Sequence, residues 1–128
     1  MRRTVEPVNP DLVENLRLEL RRGCLVLAAL GALRTEEYGY TLRKSLADRG
    51  LDIDEGTLYP LLRRLESQGL LVSEWREHEK RNKRFYRLSD QGSAVLDQLA
   101  ADWRAMNDAL AEILGEHDAA SRSVSKRG

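Results

Sequence analysis

One cysteine, three prolines and a single phenylalanine in 128 residues put several classes of protein out of reach. Cys24 alone cannot close an internal disulfide, so neither a disulfide scaffold nor an oxidising compartment is indicated. It lies in an apolar stretch and reads as a small core residue, with a redox-sensing thiol as the alternative. His78 and His117 stand far apart, with no second histidine or cysteine at ligand spacing, and no metal site is expected. The longest apolar run, near 24–33, is too short to span a bilayer. The arginines at the N-terminus are not followed by the apolar stretch of a secretory signal. Neither a glycine-rich phosphate loop nor a nucleophile elbow nor an acid–base constellation is found. Asp52, Asp54 and Glu55 do cluster, but at a helix start, where capping and dipole compensation account for them. These absences describe a soluble cytoplasmic protein without cofactor or catalytic centre.

Net charge is missing too, since 21 basic and 21 acidic side chains cancel. A duplex of DNA responds to local charge and not to the sum, and locally the balance is uneven. Segment 76–87 carries Arg76, Lys80, Arg81, Lys83, Arg84 and Arg87 against Glu77 and Glu79, a surplus of four positive charges. Segment 89–118 carries seven acidic side chains against Arg104, a surplus of six negative ones. One short stretch suits phosphate; the helix that follows does not.

What is present is mostly helix. Residues 1–8 read as a loose arm. Asn9-Pro10-Asp11 then opens a helix, with Asn9 as N-cap and Pro10 in the first turn, and Val13, Leu16 and Leu20 on one edge. Gly23 marks a break at 22, after which Cys24 to Leu33 is apolar all round and belongs in a core. Tyr38-Gly39-Tyr40 opens a third helix with Leu42 and Leu46 inward and Gly50 as its stop. Asp52 or Asp54 caps the next, whose Leu58, Leu61, Leu62 and Leu65 form one stripe before Gly69 ends it. From Leu70 the period shortens to two: a strand carrying Leu71, Ser73 and Trp75, a polar loop from His78 to Lys83, and a second strand from Arg84 to Leu88. Ser89 caps a long last helix that Gly115 stops. Residues 116–128 lack an apolar face and read as a disordered tail. The organisation expected is an arm (1–8), an N-terminal helix (9–22), a winged helix-turn-helix domain (23–88), a C-terminal helix (89–115) and a tail (116–128).

The most specific string is Gly56-Thr57-Leu58-Tyr59-Pro60-Leu61-Leu62-Arg63-Arg64-Leu65-Glu66, followed by Gly69-Leu70-Leu71. Its leucines seat a helix on a domain and leave Thr57, Pro60, Arg63 and Arg64 on other faces. Pro60 is tolerable there because its steric partner four residues back is Gly56, which has no side chain. With a tryptophan shortly after, a basic hairpin ending in Phe85-Tyr86-Arg87-Leu88-Ser89, and Gly92 just beyond, this run resembles the PadR family of transcriptional regulators. The resemblance covers roughly residues 23–93. Tyr38-Gly39-Tyr40 is similar to that family's helix opening, in which histidine usually stands at the place of Tyr38. The loop His78-Glu79-Lys80-Arg81-Asn82-Lys83 departs from the pattern, lacking the glycines and proline that relatives often carry.

The resemblance implies a mainly α fold with a small β-hairpin, a dimeric repressor, and a recognition helix in the major groove of operator DNA. It places Tyr38, Tyr40, Thr57, Tyr59, Pro60, Arg63 and Arg64 at the DNA, with Tyr59 equally open to a place at the core's edge. The clustering of Lys80, Arg81, Lys83 and Arg84 in a hairpin favours phosphate contacts, which set affinity and salt dependence but not sequence choice.

In the last helix Leu96, Leu99, Trp103, Met106, Leu110 and Ile113 are spaced 3, 4, 3, 4 and 3, a heptad seam suited to a helix–helix interface. The expected partner is a second copy, with Leu16 and Leu20 of the first helix packed on the seam, which presents two recognition helices to a palindromic operator. Trp103 fills the dimer core or, as the resemblance implies, stacks on a small aromatic or hydrophobic effector between subunits, with Met106 one turn on. The alternative function is a winged-helix module that binds proteins and not DNA.

Overall fold

The computed structural model describes residues 7–116; most of the expected arm and tail, with His117, lies outside the described residues. Seven elements follow in order: α1 (Pro10–Ala32), β1 (Glu37–Tyr38), α2 (Gly39–Asp48), α3 (Glu55–Ser67), β2 (Leu71–His78), β3 (Arg81–Leu88) and α4 (Asp90–Ile113).

The start of α1 is as its residues dictate. The Asn9 side chain accepts from the Asp11 and Leu12 amides, and Pro10 opens the first turn. The expected break at Gly23 does not occur, and one helix runs through it. A glycine in a helix interior costs only about 1 kcal/mol relative to alanine. That is less than the burial of Leu25, Ala29, Leu30 and Leu33 contributes just beyond it, and Gly23 itself faces open space. The opposite end of the helix is uncovered, with Leu12, Leu16 and Leu20 exposed.

The core lies where the second half of α1 meets α2, α3 and the base of the sheet. Leu42 and Leu46 enter from α2, the four leucines of the α3 stripe from above, and Leu71, Tyr86 and Leu96 close it. Removing a leucine such as Leu58 or Leu62 from water contributes about 2 kcal/mol each, so the stripe seats α3 firmly and leaves its other face free. The helix continues through Pro60. Gly50 and Gly69 follow α2 and α3 with φ of +97° and +83°, the left-handed conformation that ends a helix. Arg43 ties α2 to the start of α3, donating to the Ile53 carbonyl and to Glu55. Asp54 occupies the N-cap position of α3 without a side-chain capping bond.

The sheet has three strands where two were expected, in the order β1-β3-β2, all antiparallel. Glu37 and Tyr38 pair with Tyr86 and Phe85 just before α2 begins; two residues carry too little alternation to be seen as a strand. The hairpin is also longer than its loop suggested. Pairing runs to His78↔Arg81, so the connection is only Glu79-Lys80, both with positive φ (54° and 68°). That is the two-residue turn whose twist matches a hairpin, achieved here without the usual Asn-Gly. Ser89 fastens the wing to α4: its hydroxyl donates to the Gly69 carbonyl and accepts from the Gly92 amide.

Candidate nucleic-acid interface

α3 and the hairpin stand side by side, and of the residues expected at DNA, Tyr38, Tyr40, Tyr59, Arg63, Arg81, Lys83 and Arg84 line the space between them. A cleft of about 690 Å³ is bounded by Tyr38, Tyr40, Tyr59 and Arg63 on the helical side and by Trp75 and Arg81 on the wing. Thr57, Pro60 and Arg64 are exposed on the free face of α3. Leu58, Leu61, Leu62 and Leu65 hold the opposite face in the core, so the orientation of the arginines follows from the spacing of the leucines.

The basic side chains divide by their surroundings. Arg63, Arg64, Lys80 and Arg81 are exposed, and among the described residues none of their side chains makes an ion pair or hydrogen bond within the chain. Lys83 is half-buried: its ammonium donates to the Tyr38 hydroxyl at 3.3 Å and lies 4.3 Å from the Tyr38 ring centroid. Arg84 is engaged with Glu66 of α3 and Ser73 of β2. Arg76 pairs with Glu36 and Glu74 on the far face of the sheet and lies over the Phe85 ring. Of the six basic residues in 76–87, three are therefore held by the protein itself.

Tyr59 is half-buried with its ring packed on Gly39 at the edge of the core, and it also forms part of the cleft wall. By its sequence, Trp75 falls in a strand and in the family-like string, without a role at DNA. It is 63% exposed at the mouth of the cleft, on the face of the hairpin that carries Ser73 and Tyr86. The period-two alternation already assigned it to that face; that the face continues past the core was not legible. Tyr86 sits at the floor, and burial raises its phenol above the usual range, the neighbouring Arg84 guanidinium opposing the shift.

Comparison with known proteins decides the affiliation. The model of the transcriptional regulator PadR-like family matches residues 26–98, more than half of the chain. The chain belongs to the PadR-like family of transcriptional regulators. It is 42% identical over 84 residues to the transcriptional regulator Rv3488 of Mycobacterium tuberculosis, covering 66% of this chain and 76% of that one. Its fold superposes on a PadR family transcriptional regulator from Eggerthella lenta DSM 2243 with a TM-score of 0.75 and 48% identity, over 83% of this chain and 95% of the other. A PadR family transcription regulator from Clostridium difficile R20291 gives 0.65 and 25%, over 70% and 97%. Within this PadR-like chain the winged helix-turn-helix is thus α2, α3 and the β2–β3 hairpin.

The second expected surface of this PadR-like regulator is the seam of α4. Leu96 is buried against the chain's own core and Leu99 half-buried, but Trp103, Met106, Leu110 and Ile113 are exposed, rising to 75% at Ile113. A shallower cleft of about 360 Å³ runs between α1 and α4, with Leu27, Ala28, Ala100 and Trp103 among its walls. Cys24 also lines it and is exposed, where a core position was expected; in the unbroken α1 it falls on the side of the helix that borders the α4 cleft. Met106 stands one turn beyond Trp103. Among the described residues no helix is long and apolar enough to cross a membrane.

Proposed function

We propose that this PadR-like regulator is a homodimeric, sequence-specific DNA-binding repressor. The observation that carries the reading is the presentation of unpaired cations on α3 (Arg63, Arg64) and at the wing tip (Lys80, Arg81), with Arg63 and Arg81 on the two sides of one cleft. α3 enters the major groove, with Thr57, Tyr59, Pro60, Arg63 and Arg64 toward base edges and groove rims. Tyr38 and Tyr40 stand at the opening of α2 beside it, and Lys80 and Arg81 meet flanking phosphates. The uncovered apolar halves of α1 and α4 favour a second copy, in which Leu16 and Leu20 of one protomer cover Trp103 to Ile113 of its partner.

An effector of small aromatic or hydrophobic chemistry fits the cleft beside Trp103. It acts only through its difference in affinity between two dimer geometries, since a ligand that binds both equally shifts nothing. The fluorescence anisotropy of a labelled duplex from upstream of the protein's own gene tests the reading, against a scrambled duplex across a salt series. Tighter binding to the native duplex, falling steeply with salt and weakened by Arg63→Ala, is the expected result. No binding to either duplex at low salt overturns it in favour of a protein-binding module.

A further inference from the structure

Three side chains from three elements close a ring between the recognition helix and the wing. Arg84 of β3 donates through Nη2 to Oε1 of Glu66 on α3 at 2.9 Å and through Nε to Oγ of Ser73 on β2 at 3.0 Å. The Ser73 hydroxyl donates in turn to Oε2 of the same Glu66 at 2.7 Å. The guanidinium also lies 5.7 Å from the Trp75 ring centroid and 5.6 Å from that of Tyr86. Two of its five N–H donors are thus taken up by protein and its faces lie near two rings, while the side chain still lines the cleft and is 35% exposed, against 27% for Glu66.

This environment sets Arg84 apart from Lys80 and Arg81 at the wing tip. The guanidinium keeps N–H groups beyond those bonds, but the Glu66 carboxylate held beside it offsets its charge and repels a phosphate brought to the same place. The ring also sits where the hairpin needs support. Leu71 and Tyr86 anchor the base of the ribbon in the core, but a two-stranded ribbon beyond its anchored base is only marginally stable and free to twist. Ser73 and Arg84 are the next residues toward the tip on the same face as Leu71 and Tyr86, two positions along each strand, and Glu66 is rigidly placed because Leu62 and Leu65 seat its helix.

We infer that Glu66, Ser73 and Arg84 form a strut that fixes the angle between wing and recognition helix, and that Arg84 is a positioning residue and not a phosphate ligand. Lys80 and Arg81 at the tip then stand at a set distance from Arg63 and Arg64, so both pairs engage one duplex without further ordering of the wing. The part that concerns DNA rests on the function proposed above; the mechanical part does not.

The two roles of Arg84 predict opposite signs for one near-isosteric change. If Arg84 is a phosphate ligand restrained by Glu66, Glu66→Gln frees it and removes a repelling charge; affinity rises and the salt dependence steepens by about one phosphate contact. As a strut component, Glu66→Gln weakens operator binding about fivefold to tenfold, Ser73→Ala does so to a lesser degree, and the salt slope stays that of the wild type. Arg84→Ala weakens binding likewise, without the loss of about one contact in slope that a phosphate ligand produces. Amide hydrogen exchange without DNA supplies the independent arm: Glu66→Gln and Ser73→Ala speed exchange about tenfold in β2 and β3 and leave α1 unchanged. Unchanged exchange in the wing overturns the strut whatever the DNA data show, as does tighter binding by Glu66→Gln. Failure of the wild-type protein to bind any duplex sinks the proposed function alone, and the exchange measurement still decides the strut.

Discussion

The ring of Tyr59 occupies the space beside Gly39 that a side chain at Gly39 would need: a Cβ there would lie 2.6 Å from the phenol oxygen and 2.7 Å from Cε1. The first residue of α2 and the fifth of α3 are thereby in direct contact, and the glycine sets how closely the two helices of the turn motif approach. Helix propensity alone favours alanine over glycine by up to about 1 kcal/mol. The contact reverses that sign. Gly39→Ala is expected to destabilise the fold by about 1–2 kcal/mol and to weaken DNA binding as Tyr59 leaves the cleft. In a Tyr59→Ala background the same substitution is neutral or stabilising; thermal unfolding of the four proteins in the cycle reads this non-additivity directly.

Glu79 and Lys80 hold left-handed backbone at the wing tip, which costs about 1 kcal/mol for each residue bearing a side chain. Replacing them together, Glu79→Asn with Lys80→Gly, relieves the strain and raises stability by about 1–2 kcal/mol. On the function proposed above, the same change deletes a cation that meets phosphate, so the slope of log affinity against log salt becomes shallower by about one. Stability and binding should move in opposite directions, one read by thermal unfolding and the other by a salt titration.

Gly92, at the start of α4, is buried where a side chain would run into the Leu70 carbonyl oxygen and the Leu88 side chain. The obstruction is partly backbone and cannot swing aside. Gly92→Ala is expected to cost about 3 kcal/mol and lower the melting temperature by roughly ten degrees, even though alanine is the better helix former.

Burial displaces the titration of the Tyr86 phenol upward. A phenol with a raised folded pKa leaves stability untouched below the unfolded value near 10 and subtracts from it as pH climbs toward the folded one, because the unfolded chain loses its proton first. Above about pH 10 the melting temperature of the wild type should fall more steeply than that of Tyr86→Phe. Parallel curves for the two proteins contradict this account.

The seam of α4 is tested by charge. Leu110→Glu and Ile113→Glu lie on exposed surface of the single chain and leave its own core intact. Across a dimer interface each buries an unpaired carboxylate in both protomers, which weakens association at least a hundredfold, about 3 kcal/mol. Sedimentation equilibrium is expected to show monomers at concentrations where the wild type is dimeric, with unchanged helical circular dichroism.

Much of this molecule was legible in one dimension. The leucine stripe 58, 61, 62, 65 determined which face of α3 is buried and, by exclusion, that Arg63 and Arg64 are free, since a rigid 3.6-residue period leaves no other choice. Asn9, Gly50, Gly69 and Ser89 marked helix ends because capping and left-handed stops are local chemistry. The tertiary structure decided whatever depends on partners distant in sequence. Gly23 sits in an unbroken helix because packing further along α1 outweighs its propensity, and that continuity turns Cys24 toward the groove beside α4. The third strand exists only because Tyr38 meets Phe85 across 47 residues of chain. Arg84 and Arg81 are alike as letters in a basic run, yet one is held by Glu66, 18 residues away, and the other faces solvent. Charge can be counted along a sequence, but whether a cation is free to meet a phosphate depends on which carboxylate the fold has placed beside it.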